Sequence, residues 1–228
     1  MTKAGIDQEA IVKMFSEATT KQGEALRKAV GDATLKALQG RELTMDNIKK
    51  VLKAVTMAAS SGAAQNGAGP VDVEAMLTKA FAGMDGALLQ AVQAHRKALQ
   101  QFVDQGAGLQ EKQFKEAIAN IEKMEDTFFA TVTKAAQAGG GQMQGPWQQV
   151  LSAMKMKGTD TGAQATQTVA QLMAQTQTAL RDGRASSLKT AQAMLDGYAA
   201  LVSGVLIGMS ESLQSKAATG SGQAKAKK

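Results

Sequence analysis

An all-α fold is predicted by three features of this chain. Apolar residues recur at helical spacing almost throughout, and the alternation of half-buried strands is missing. The 44% of hydrophobic residues excludes a chain too polar to bury a core, yet only 4% are aromatic, so Ala and Met supply much of that core. Small side chains let helices approach closely while burying little area each. The expected architecture is an elongated antiparallel helical bundle ending in a long C-terminal helix, with Gly183 as the position where that helix would kink or turn.

The elements follow in order. Residues 1–60 read as a first helical hairpin. Its opening helix runs from about Asp7 to Leu38 with Ile11, Phe15, Leu26 and Val30 on one face, and Gly40 ends it. Thr44 is placed to cap the second helix, which carries Ile48, Val51, Leu52 and Val55. Residues 61–71 are small and polar and read as a linker, which takes in the stretch up to Pro70. A second hairpin spans 72–138. Asp72 would cap its first helix, whose stripe of Leu77, Phe81, Met84, Leu88, Ala91, His95, Leu99 and Phe102 is spaced by fours and threes like a coiled-coil seam. Its second helix starts near Leu109 and buries Phe114, Ile118, Ile121, Met124, Phe128 and Val132.

Residues 139–158 read as a flexible break through Gly139–Gly141 and on to Gly145, then a short helix with Pro146 in its first turn. The long segment 159–217 contains no proline; unbroken, its residues from Asp160 to Ala217 would extend about 87 Å at 1.5 Å per residue. Residues 218–228 read as a disordered basic tail. The two hairpins also resemble each other: Ala25-Leu26 and Ala29-Val30 match Ala87-Leu88 and Ala91-Val92, and Lys36-Ala37-Leu38-Gln39 matches Lys97-Ala98-Leu99-Gln100. Duplication and shared composition both explain this.

Net charge is +6, of which Lys216, Lys225, Lys227 and Lys228 supply four. The body is therefore only mildly basic, and a nucleic-acid partner, which would need a basic face, is not expected. The N-terminus lacks an apolar signal-peptide core, and the longest charge-free apolar stretch, Gly197–Ser210, is shorter than the ~20 residues that span a bilayer. A cytoplasmic location is expected.

Motifs for chemistry fail one by one. Cysteine is absent, which excludes disulfides and thiolate metal sites. His95, the sole histidine, lies on an apolar stripe with Val92 where a di-iron helix would place Glu. Glu122, Glu125 and Asp126 share a helix face without a base or metal ligand beside them and read as a solvated face. Gly-x-Ser-x-Gly and phosphate-loop patterns are missing. The expectation is a non-enzyme with no catalytic, cofactor or metal site.

The expected contact surface lies near the C-terminus. Ala200, Gly204, Gly208 and Ser212 stand four apart and form one stripe on a helix, flanked by Tyr198, Val202, Val205, Met209 and Leu213. Gly204 to Gly208 is a GxxxG, which permits close helix approach. Internal packing and homo-oligomerisation are both open to it. Thirteen methionines, Met143, Met154, Met156, Met173, Met194 and Met209 among them, suit adaptable apolar contacts.

In its Ala/Gln/Thr-rich amphipathic helices, lack of cysteine and Ala224-Lys225-Ala226-Lys227-Lys228 terminus, the chain resembles the phasins, which coat bacterial polyester storage granules. It is also similar to uncharacterised Ala-rich helical proteins of proteobacteria around Tyr198–Gly204 and Gly208–Glu211. The phasin resemblance implies a helical, non-enzymatic, often oligomeric protein that binds a hydrophobic granule surface. A membrane surface is an allied partner. The alternatives are a self-associating scaffold and, more remotely, a nucleic-acid accessory protein using the lysine tail.

Overall fold

The computed structural model describes residues 7–17, 22–40, 42–66, 70–104, 112–139, 141–181 and 198–223. Every regular element among them is a helix: α1 (Gln8–Glu17), α2 (Gly23–Gln39), α3 (Met45–Gln65), α4 (Pro70–Asp104), α5 (Lys112–Glu122), α6 (Met124–Ala138), α7 (Gly141–Lys157), α8 (Asp160–Arg181) and α9 (Tyr198–Gln223). The fold is an all-α bundle.

Helix α4 is its axis. The whole predicted stripe from Leu77 to Phe102 is buried, and α4 packs against α2, α3, α5, α7, α8 and α9. Phe81 stacks on Phe128 of α6 at 4.4 Å between ring centres, with Phe129 beside them at 5.4 Å. The six apolar residues predicted for the fourth helix are buried as well. That helix bends at Lys123 between α5 and α6. Backbone bonding persists across the bend, from Lys123 N–H to Ala119 and from Thr127 N–H to Lys123.

Helices α2 and α4, which the internal repeat aligns, lie side by side, and α3 lies against α6. Glu24 pairs with Lys79 at one end of the α2–α4 contact. Farther along, Gly31 and Gly83 bring the two backbones together. A Cβ on Gly83 would overlap the Arg27 carbonyl oxygen, and one on Gly31 would sit 3.2 Å from the Gly83 carbonyl oxygen.

Several boundaries differ from the sequence reading, each for a packing reason. The opening helix is two segments, α1 and α2, on either side of residues 18–21, which lie outside the described residues. Each buries its stripe on a different partner, α1 on α3 and α2 on α4. The predicted linker is largely helical, because α3 continues to Gln65. Gly62 is buried there: a Cβ would meet Val12 O and Phe15 Cβ at 2.5 Å. Helix α4 begins at Pro70, ahead of the predicted cap Asp72; proline suits a first helical position.

The predicted break after Gly139 is short, because α7 begins at Gly141 and Pro146 lies inside it. Met143 and Trp147, one turn apart, are both buried and hold that turn down. Helix α9 also runs past Ala217 to Gln223, into the predicted tail. Extending an existing helix needs no new nucleus. Gly106, Gly108, Leu109, Gly183 and Met194 lie outside the described residues.

Hydroxyls fill core positions without loose polar groups. Thr34, Thr56, Ser60 and Thr176 are buried, and each donates to the carbonyl one turn earlier, at 2.7–2.8 Å. Trp147 is fully buried, and its Nε1–H donates to Ser60 Oγ at 2.9 Å. Thr44 caps α3 as predicted, its Oγ1 accepting from Asn47 N–H at 3.3 Å.

Candidate interaction surface

The predicted contact stripe lies on α9, and the structure divides it between two faces. The inner face holds α9 to α4 and α2. Val202, Leu206 and Ser210 are buried, while Tyr198, Val205 and Met209 are half-buried against the core. Two polar contacts fix the helix along its length. The Tyr198 hydroxyl and His95 Nδ1 share a hydrogen bond of 2.7 Å, and Ser203 Oγ accepts from Leu43 N–H at 3.0 Å.

The outer face consists of Ala200, Gly204, Ile207 and Gly208, all exposed. A Cβ built on Gly204 or Gly208 would meet nothing within 4 Å. Among the described residues, nothing packs onto the GxxxG. Its backbone opens outward, and Ile207 stands beside it 38% exposed. The side chains of Ser212, Leu213 and Lys216 lie outside what the structure describes, as do Lys225, Lys227 and Lys228.

Helix α8 extends this chemistry. No charged residue occurs between Asp160 and Arg181, and the outer face carries Thr166, Gln167, Gln171, Met173, Gln175 and Gln177, all exposed. Water-facing helices ordinarily carry charge on that side. The methionines divide in the same way: Met143 is buried, Met154 and Met209 are half-buried, and Met156 and Met173 are exposed at 85% and 40%.

The titratable groups of the interior serve packing. His95 is 4% exposed, and its Nε2 meets no hydrogen-bond partner among the described residues. Burial pushes it down to about 4 and raises the Tyr198 phenol above its ordinary value. Both groups are neutral at physiological pH. Phe102 and Tyr198 complete the apolar side of the pair, at 5.9 Å between rings.

Two carboxylates, Asp85, which the sequence reading missed, and Glu125, which it misplaced, hold the start of α8. Asp85 of α4 accepts from Asp160 N–H (Oδ2, 3.0 Å) and Thr161 N–H (Oδ1, 3.1 Å). Glu125 Oε1 of α6 accepts from the Thr159 hydroxyl at 2.6 Å and from its N–H at 3.1 Å. Desolvation raises the Asp85 carboxyl above its usual value despite these bonds. Glu125, which read as part of a solvated face, is a structural acceptor because α8 starts directly over it. Asp85 was visible as an acid inside an apolar stripe, next to Met84. The Gly158-Thr159 pair was visible as a helix stop followed by a cap.

Among the described residues, no group of three or more His, Asp and Glu comes together to hold a metal ion. None of the described helices is long and apolar enough to cross a membrane. An open groove of about 690 Å³ runs between α6 and α7, floored by Phe129 with Lys155 Nζ 5.7 Å above the ring.

Comparison with curated proteins and with solved structures finds no match. A family model described as "Family of unknown function (DUF6781)" matches residues 1–215, which include all of α1 to α8 and most of α9. The match covers nearly the whole chain, and the protein belongs to that family.

Proposed function

We propose that this is a non-enzymatic helical interaction protein that lays the charge-free outer face of α8 and the glycine face of α9 on an apolar surface, such as the polymer of a storage granule. One observation carries the reading: α8 exposes a face without charge between Asp160 and Arg181, and α9 exposes Ile207 and open backbone at Gly204 and Gly208, with Glu211 the one charged side chain on that face among the described residues. Two interior glycines cost a helix about 1 kcal/mol each relative to alanine. Within the described chain nothing packs onto either of them to offset that cost. A surface resting on the exposed backbone would. A phasin-like role and a cytoplasmic location belong to the same proposal.

The test is co-sedimentation of the purified chain with polyhydroxyalkanoate beads, with phosphatidylcholine vesicles alongside. The wild type should bind the beads, and Ile207→Glu with Met173→Glu should abolish binding while leaving the helical circular dichroism unchanged. Equal binding by the wild type and the double variant, or none by the wild type, would sink the reading.

The same open glycines favour a second reading, self-association through α9. Gly204→Leu with Gly208→Leu should then lower the mass measured by light scattering. A wild-type mass of one chain excludes that reading and leaves the first standing.

A further inference from the structure

We propose that α8 is a releasable strap, which leaves the bundle as a unit about Gly158 while the rest stays packed, with Asp85 and Glu125 as its latch. Four observations converge on this. Gly158 and Thr159 are the two residues between α7 and α8, and Gly158 has φ +78°, a conformation L side chains rarely adopt. Glycine can enter and leave that conformation at little cost, so the joint can turn. The space around Gly158 is open: a Cβ there would meet nothing within 4 Å.

Among the described residues, the polar hold on α8 is concentrated at one end. Asp85 and Glu125, from two different helices, accept four hydrogen bonds from Thr159, Asp160 and Thr161, and the Thr161 hydroxyl donates back to Asp85 O at 3.0 Å. Farther along, Arg96 Nη1 reaches Gln171 Oε1 at 3.3 Å, and Arg96 is only half-buried.

The face that α8 buries is thin. Val169 and Leu172 are its large buried apolar side chains among the described residues; the other buried positions are Thr, Gly or Ala. Its hydroxyls are bonded within the helix. Thr176 donates to Leu172 O, Thr166 to Gly162 O, and Thr168 Oγ1 accepts from Gln164. Lifting α8 off therefore strands few polar groups beyond the latch. Segments with few apolar anchors open below the free energy of global unfolding. The inference concerns α8 alone and does not rest on the apolar-surface reading.

The experiment is native-state hydrogen exchange on the full chain across low denaturant concentrations. In the wild type, α8 amides at 164–178 should exchange at least tenfold faster than those of α3 at 51–60, with a weaker dependence on denaturant. Asp85→Ala and Glu125→Ala should each accelerate α8 by a further tenfold or more and leave α3 unchanged. Alanine suits the interior of α4, so the first variant keeps that helix. Spin labels on Lys97→Cys and Gln175→Cys, which line one groove between α4 and α8 in a chain without other cysteines, read the geometry directly. The latch variants should add a longer-distance population. If α8 and α3 exchange at one rate with one denaturant dependence in the wild type, or if a latch variant accelerates both equally, the strap does not exist. The wild-type measurement decides even if a variant fails to fold.

Discussion

Removing one imidazole should erase the stability change between pH 7.5 and 5.5, because this chain has a single histidine and that histidine is buried. In the unfolded chain His95 takes its proton near 6.5; in the bundle, burial pushes it down to about 4. Between those values the unfolded state binds the extra proton and the native state does not. Stability therefore falls as pH drops from 6.5 towards 4, and the full contribution is present at neutral pH. At pH 5.5 the unfolded site is about 90% protonated and the native site is almost empty, which costs about 1.4 kcal/mol. That is a large fraction of the ~5–15 kcal/mol that holds a typical domain together.

The assay is urea unfolding followed by circular dichroism at pH 7.5, 6.5 and 5.5, for the wild type and His95→Gln. Glutamine removes the imidazole, keeps an amide near the Tyr198 hydroxyl and does not titrate, so any change it makes to that contact is the same at every pH and only the slope reports the imidazole. The wild type should lose about 1.4 kcal/mol over the series and the variant close to nothing. The group bonded to His95 is Tyr198, which stays neutral throughout. Asp85 has the opposite sign: its carboxyl is raised, so the native state takes that proton first and gains stability in more acid solution. It is present in both proteins and so drops out of the difference between their slopes. A flat wild-type series, or a variant with the wild-type slope, would refute the assignment of His95 as a buried neutral group.

The remaining predictions use stability measurements. Gly83→Ala forces a methyl group against the Arg27 carbonyl and should destabilise by about 1–3 kcal/mol or more in urea unfolding. Gly204→Ala and Gly208→Ala face open space and should each stabilise by about 0.5–1 kcal/mol, the reverse of what a packed seam would give. Ser60→Ala strands the Trp147 indole N–H in the core and should cost about 1–3 kcal/mol, with the unfolding read from the emission of the single tryptophan. Gly158→Ala places a side chain at positive φ and should lower the thermal midpoint, for a cost of about 1–2 kcal/mol.

What the sequence made legible is what depends on local pattern. The Leu77–Phe102 stripe and the Thr44 cap are set by residues within a few turns of each other, and the structure has both. What it hid depends on distant partners. Gly62 read as part of a linker because it is small, yet it is small because Val12 and Phe15 occupy the space beside it. Glu125 read as a solvent group because Thr159 lies 34 residues away. For Gly204 and Gly208 the spacing left both internal packing and self-association open, and the position of α9 against α4 leaves them facing away from every described residue. The charge-free face of α8 is legible in the sequence as an uncharged, Gln- and Thr-rich tract between Asp160 and Arg181.

The crossing at Gly31 and Gly83 limits which chain lengths this family can tolerate. Inserting or deleting one residue between Gly23 and Gly31 would rotate everything beyond it by about 100° around the helix axis. A side chain would then enter the gap where the α2 and α4 backbones meet, and Val30 would leave the core. Length variation should therefore be absent from this stretch in related chains. The outer face of α9, where the glycines touch no described residue, can change its side chains freely by comparison. Along α2 it is the count of residues that is fixed, more than their identities.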